Sequence, residues 1–295
     1  MSFGKTTRIH LADGSPTGIK HAELVNWTGQ AMVCPRSRVA ELGNWPECTR
    51  PGVYLLVGED ADQGRELTYV GEAENVFERL KGHLRNKDFW RRVVFFTSKD
   101  DNLTKAHVKY LEARIVELAR TADRSKLENG ATPQLPTLPR AERDAMEEFL
   151  ESLRILLGAL GFSTLQPVAA KPETSSQVSG PLAKIALRFN PGNRVIDAQG
   201  ASTDEGFVVL RGSKGDPNVG SSLSKGYRDL RESLINDGAI VADAKAIQFS
   251  RDVLFSSPSA AAAVLAGGAY NGREAWKAKD SKSLKQLEED LAGGN

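Results

Sequence analysis

Two short apolar runs, each holding a tyrosine and a glycine, constrain the fold of this chain most. The first run begins with Gly52-Val53-Tyr54 and extends to Val57, and the second ends with Tyr69-Val70-Gly71. Polar, glycine-containing residues 58–66 join them. Short β-branched and aromatic runs separated in this way are typical of paired strands. We therefore predict an antiparallel hairpin with a long loop.

A helix is predicted directly after the hairpin, over residues 75–84. Apolar residues recur there at every fourth position, at Val76, Leu80 and Leu84. This period is typical of an amphipathic helix. Arg79 and His83 are also four residues apart, so the two side chains are expected on one helix face.

A third strand and a second helix complete this segment. Residues 93–97 form a β-type run, and residues 103–120 show helical periodicity with Glu112 beside the apolar stripe. A carboxylate at such a position is partly desolvated and needs a partner. That partner is either a basic side chain such as Arg79 or a divalent cation.

The motifs of this segment resemble those of GIY-YIG nucleases. The matching residues, in order, are Gly52-Val53-Tyr54, Tyr69-Val70-Gly71, Arg79, His83, Glu112 and Asn129. Valine replaces isoleucine in both tripeptides and keeps a β-branched side chain. The resemblance covers roughly a third of the chain. It implies an α+β fold whose core is a small three-stranded antiparallel sheet flanked by helices.

The resemblance also implies a role for each residue of the site. Glu112 would bind Mg²⁺, or Mn²⁺ in its place, because hard cations take oxygen ligands. Arg79 would bind the scissile phosphate through its planar fork. Tyr54 would act as general base or orient water, and Tyr69 would orient water or phosphate. His83 would relay a proton or hydrogen-bond Tyr54.

A local basic face is predicted beside these residues, although the formal net charge of the chain is only +1. Phosphate contacts are typically made by such clustered cations. Asn129 precedes a glycine, so a simple turn is the alternative to a site role for it. The predicted substrate-binding residues are Lys81, Arg85, Lys87, Arg91, Arg92 and Asn129.

Composition indicates a globular cytoplasmic protein with no membrane contact. Two cysteines, Cys34 and Cys48, are too few for a disulfide framework and are typical of a reducing compartment. No apolar run approaches the ~20 residues of a membrane-spanning helix. The first residues carry no apolar signal core.

Four segments are predicted along the 295 residues. Residues 1–50 are expected to be a lead-in with short helices near residues 18–27 and 37–43. Residues 51–162 would form the nuclease domain with its following helix. Residues 163–181, rich in Ser, Thr, Pro and Gln, would be an interdomain linker. Residues 182–295 would form a second, small α+β accessory domain.

The second domain carries a resemblance of its own. Its Ser-Pro-Ser-Ala-Ala…Asn-Gly…Trp-Lys arrangement resembles a C-terminal domain of unknown function that is often attached to bacterial GIY-YIG proteins. It is also similar to a small domain associated with restriction and modification enzymes and thought to bind DNA. A DNA-binding role is therefore expected, and a homodimer or a partner protein held through this domain remains the alternative.

The expected function is a Mg²⁺-dependent endonuclease that hydrolyses DNA phosphodiester bonds. A non-catalytic DNA-binding or regulatory protein with the same fold is one alternative. An RNA nuclease is the other.

Overall fold

The computed structural model describes residues 3–59, 66–166, 182, 185–192 and 195–293. The chain divides into two compact units. The first contains the described residues up to 166, and the second contains those from 182 to 293. Most of the predicted linker and part of the predicted hairpin loop lie outside the described residues.

The first unit is built on a seven-stranded sheet of order β1-β2-β3-β6-β4-β5-β7. All neighbouring strands are antiparallel except β5 and β7. The elements in chain order are β1 (Thr7–Leu11), β2 (Lys20–Leu24), β3 (Gly29–Pro35), two 3-10 helices (Arg36–Asn44 and Pro46–Thr49), β4 (Gly52–Glu59), β5 (Glu66–Ala73), α1 (Val76–Asn86), β6 (Trp90–Ser98), α2 (Lys105–Ala122), β7 (Lys126–Leu127) and α3 (Arg140–Ala159).

The predicted three-stranded sheet is too small, because residues 1–50 contribute three further strands and β7 contributes a fourth. The segment expected as a helix near residues 18–27 contains β2, in which alternate residues Ala22 and Leu24 are buried. Such alternation buries one face of a strand and leaves the other polar. β3 then pairs with β6 along its whole length, so this region is part of the same sheet.

The two faces of this sheet carry different helices. On one face, Val53, Leu55 and Val57 of β4 pack in the core with α2 and α3. On the other face, Tyr54 and Leu56 pack in a separate core with α1 and the 3-10 helices. Because side chains alternate along a strand, β4 thus directs Tyr54 towards α1.

The second unit contains two antiparallel sheets, of order β14-β10-β9-β8 and β11-β13-β12. Its core includes α5, in which every residue from Ala260 to Ala266 is buried. The elements are β8 (Leu187–Phe189), β9 (Ala198–Thr203), β10 (Gly206–Val209), β11 (Lys214–Gly215), α4 (Lys225–Asn236), β12 (Ile240–Ala242), β13 (Ile247–Phe249), β14 (Val253–Phe255), α5 (Pro258–Ala266), α6 (Gly272–Ala275) and α7 (Leu284–Gly293).

Helices and sheets occur in both units, which confirms the predicted α+β class. Across the described ranges, every helix is too short or too polar to cross a membrane.

Candidate active site

Tyr54 lies at the centre of a hydrogen-bonded cluster between β4 and α1. Its hydroxyl oxygen is 2.7 Å from His83 Nε2. The Nε–H of Arg79 donates to the same oxygen at 3.2 Å. Arg79 and His83 lie one turn apart on α1, and Asn75 fixes the start of that helix by accepting a hydrogen bond from its first turn. Their spacing of four residues therefore places the Arg79 and His83 side chains within hydrogen-bonding distance of the same tyrosine hydroxyl.

A glycine opposite Tyr54 makes room for its side chain. Gly71 of β5 is the direct cross-strand partner of Tyr54. A Cβ atom at Gly71 would overlap the ring and hydroxyl oxygen of Tyr54. Any larger residue would therefore displace the tyrosine from His83 and Arg79. This explains physically why the second tripeptide ends in glycine.

Tyr69 and Lys87 extend the cluster along the same face. The Tyr69 ring centroid is 5.5 Å from that of His83 and 6.3 Å from that of Tyr54. The ammonium group of Lys87 lies 4.1 Å from the Tyr69 centroid. This distance is suitable for a cation–π contact. Tyr69 is only partly buried, whereas Tyr54 is fully buried.

The electrostatics of this cluster keep both central groups neutral near pH 7. Burial raises the pKa of Tyr54, and the neighbouring Arg79 only partly opposes it. Burial, followed by the positive charges of Arg79 and Lys87, lowers the pKa of His83 to about 4. A neutral His83 with its proton on Nδ1 can accept a hydrogen bond from Tyr54 at Nε2, while Tyr54 accepts from Arg79.

Glu112 is a half-buried carboxylate on α2, the helix that packs against β5. Burial, followed by the charge of Glu72, raises its pKa to about 7, while Arg79 and Lys109 pull it down. Among the described residues Glu112 makes no hydrogen bond and no ion pair. The alternative in which Arg79 pairs with it is therefore not observed, and its carboxylate remains available to a ligand.

Glu72 is a second carboxylate that the sequence motifs did not indicate. It directly follows Gly71 on β5 and is the cross-strand partner of Val53, which faces α2. Directly paired residues project from the same sheet face, which accounts for its electrostatic effect on Glu112. The feature of the sequence that could have indicated Glu72 as a site residue is its position immediately after the second tripeptide.

The surroundings of Glu112 fit a hard divalent cation. Glu112 and Lys109 border an open cleft of about 490 Å³ formed with residues 133–137. Within the described ranges, no group of three or more His, Cys, Asp or Glu side chains could enclose a metal ion. Mg²⁺ is often bound by only one or two carboxylates, with water and substrate phosphate as the other ligands. Glu112 and Glu72 are suited to that mode.

Asn129 is engaged with the backbone of β5. Its Oδ1 accepts from Val70 N at 2.9 Å, and its Nδ2 donates to Val70 O at 2.8 Å. Both ends of the amide group are used, as in a strand pairing with β5. This geometry favours a structural role over the predicted substrate contact.

The predicted basic face is only partly available for phosphate. Lys81 pairs with Glu78 at 2.6 Å, and Arg91 pairs with Glu59 at 2.9 Å. The Arg92 guanidinium lies 4.9 Å from the centroid of the Phe162 ring. Lys87 contacts Tyr69 as described above, and Arg85 is exposed on α1.

Arg36 supports this face and was not indicated by the sequence motifs. Its guanidinium donates to the backbone oxygens of Leu84 at 3.0 Å and Lys87 at 2.5 Å. It also lies 4.6 Å from the centroid of the Trp90 ring. Cations at a helix C-terminus satisfy its free carbonyl groups, so Arg36 fixes the end of α1.

Comparison with known proteins identifies part of the second unit. Residues 188–288 match the family model of a domain of unknown function (DUF4357). This confirms the prediction of a C-terminal domain of unknown function. No curated protein and no solved structure matches the chain.

Proposed function

We propose that the first unit is a GIY-YIG-type endonuclease that hydrolyses DNA phosphodiester bonds with a divalent cation. One observation carries this proposal: a buried tyrosine, hydrogen-bonded to Arg79 and His83, lies near Glu112, a carboxylate with no partner among the described residues. Phosphodiester hydrolysis needs an oriented nucleophile, a proton acceptor and positive charge at the phosphate. The cluster offers a residue suited to each requirement.

Glu112 is the proposed ligand of the cation, and Glu72 is available to assist it. When bound, Mg²⁺ or Mn²⁺ would neutralise charge on the phosphate and leaving oxygen. The cation would also keep Glu112 ionised, since an adjacent positive charge favours the charged form of a carboxyl group. Burial of Glu112 without a partner is costly, and cation binding offsets that cost.

Tyr54 is proposed to orient the attacking water and to pass its proton to His83. The raised pKa of Tyr54 disfavours a preformed phenolate. A coupled transfer avoids that species: water gives a proton to Tyr54 Oη while the Tyr54 hydroxyl proton moves to His83 Nε2. His83 is neutral near pH 7 and lies at hydrogen-bonding distance, so it can accept the proton.

Arg79 is proposed to bind the scissile phosphate. It is exposed on the outer side of the cluster, with its Nε–H directed at Tyr54. A guanidinium can contact two phosphate oxygens at once, which a lysine cannot match. A phosphate there would also neutralise one of the charges that lower the pKa of His83, making His83 a better proton acceptor.

The proposal is tested with end-labelled DNA duplexes and matched RNA, each incubated with the full chain in Mg²⁺ or in EDTA. We expect DNA cleavage in Mg²⁺ and none in EDTA, with Tyr54→Phe strongly impaired. Binding of DNA without cleavage would instead favour the non-catalytic DNA-binding alternative. Preferential cleavage of RNA would favour the RNA nuclease.

A further inference from the structure

The second unit contains a cleft of about 470 Å³ with two basic residues side by side on its wall. Arg188 and Lys277 are antiparallel bridge partners. Arg188 N donates to Lys277 O at 2.7 Å, and Lys277 N donates to Arg188 O at 2.9 Å. Residues paired in this way project their side chains to the same side, about 5.5 Å apart at Cα. Both side chains are exposed and line the cleft.

The charge of this pair is not compensated by any ion pair among the residues that the structure describes. In the described part of the chain, neither the Arg188 nor the Lys277 side chain makes an ion pair or a hydrogen bond. Of the described residues that line the cleft, Glu274 alone is acidic, and it pairs with Lys285 at 3.1 Å. Like charges placed directly opposite each other destabilise a strand pair. An anionic ligand would relieve this repulsion.

Aromatic side chains give the pair a rigid support. Phe189, adjacent to Arg188, packs edge-on against Tyr270 at 5.3 Å and lies 5.5 Å from Trp276. Trp276 is fully buried, and its indole N–H donates to Pro258 O at 3.1 Å. The half-buried Tyr270 also lines the cleft. The cleft therefore combines two cations on a fixed backbone with an aromatic ring on its wall.

We infer that this cleft binds single-stranded nucleic acid, with Arg188 and Lys277 on a phosphate and Tyr270 against a base. Proteins that bind single-stranded nucleic acid combine positive charge, which contacts the phosphates, with aromatic side chains on which the bases stack. The fork of Arg188 fits phosphate oxygens. The cleft volume is that of a small-ligand pocket, which admits a nucleotide unit and not a duplex. Binding here does not require the cleavage chemistry proposed for the first unit.

Fluorescence anisotropy of a labelled 12-nucleotide oligothymidylate, titrated with the full chain in EDTA, tests this inference. EDTA prevents cation-dependent cleavage, so the result is independent of the proposed nuclease activity. The variant Arg188→Ala/Lys277→Ala is compared with Lys225→Ala/Arg228→Ala, which removes the same charge from α4 of the same unit. The bridge between Arg188 and Lys277 is made by backbone atoms, so the first variant should keep its fold. If circular dichroism shows that it does not, Arg188→Gln/Lys277→Gln replaces it.

We expect the cleft variant to bind at least about tenfold more weakly than the wild type, while the α4 variant changes by less than about twofold. Loss of the one phosphate contact that the pair makes should reduce the slope of log K against log salt by about 0.7 for single strands. Equal affinity of the two variants would overturn the inference. It would also be overturned if the wild type ignored the oligonucleotide and bound labelled poly-glutamate instead, since the cleft would then be a site for acidic peptides.

Discussion

Replacing Glu112 with glutamine should stabilise the cation-free protein while removing its proposed activity. Folding raises the pKa of Glu112 from its ordinary value of 4.5 to about 7. That shift corresponds to roughly 3 kcal/mol, and partial exposure of the side chain reduces the expected effect to about 1–2 kcal/mol. The stability from Glu112 is complete below pH 4.5 and is lost as pH rises through 7.

Urea unfolding at pH 5 and pH 8, followed by tryptophan fluorescence, measures this effect. At pH 8 Glu112→Gln should exceed the wild type by about 1–2 kcal/mol in free energy of unfolding, and the difference should shrink at pH 5. Glu117→Gln on the same helix is the matched control, because Glu117 is exposed and already ion-paired with Arg114. That control should not be stabilised.

Added Mg²⁺ distinguishes a cation site from a merely strained carboxylate. At about 100 times its dissociation constant a ligand stabilises the folded state by about 2.7 kcal/mol. The wild type and Glu117→Gln should gain stability at pH 8, and Glu112→Gln should gain much less. The reasoning is refuted if Glu112→Gln is no more stable than the wild type at pH 8, or if Mg²⁺ stabilises all three proteins equally.

Three further predictions concern the tyrosine cluster. Arg79→Lys keeps the positive charge but loses the planar guanidinium, so the rate of single-turnover cleavage should fall by about 10²–10³. The control Arg85→Lys, on the same helix, should cleave at the wild-type rate. Equal cleavage rates for the two variants would contradict a role of Arg79 in the site. Gly71→Ala should displace Tyr54 and lower the free energy of unfolding in urea by about 1–3 kcal/mol, and an unchanged value would contradict the packing. The stability supplied by neutral His83 is present above pH 6.5 and is lost as pH falls towards 4. The urea midpoint of His83→Gln should therefore depend less on pH over that range than the midpoint of the wild type. Parallel curves of midpoint against pH for the two proteins would contradict a buried neutral imidazole.

The central elements of the first unit were predictable because their signals are local. The runs at residues 52–57, 67–71 and 93–97 fall within β4, β5 and β6, and the helical periodicities correspond to α1 and α2. The strand β2, which was expected to be a helix, was missed for a physical reason. β2 has only five residues with two buried, which is too short a pattern to distinguish from a helix turn.

The arrangement of site residues was predictable from the sequence only where the residues lie on the same helix or strand. The spacing of Arg79 and His83 places them on one face of α1, as observed around Tyr54. The approach of Glu72 to Glu112 depends instead on how α2 packs against the sheet. Likewise, the pairing of Arg91 with Glu59 is a contact between β6 and β4, which no local pattern contains.

Nicking of supercoiled plasmid tests the central claim most directly. Wild type, Glu112→Gln and Glu117→Gln are compared at equal concentration in Mg²⁺ and in EDTA. We predict relaxed circles from the wild type and Glu117→Gln in Mg²⁺, none from any protein in EDTA, and a loss of about two orders of magnitude or more in rate for Glu112→Gln. Equal nicking by Glu112→Gln and the wild type, or no nicking by the wild type in Mg²⁺, would contradict the proposal that this cluster hydrolyses DNA.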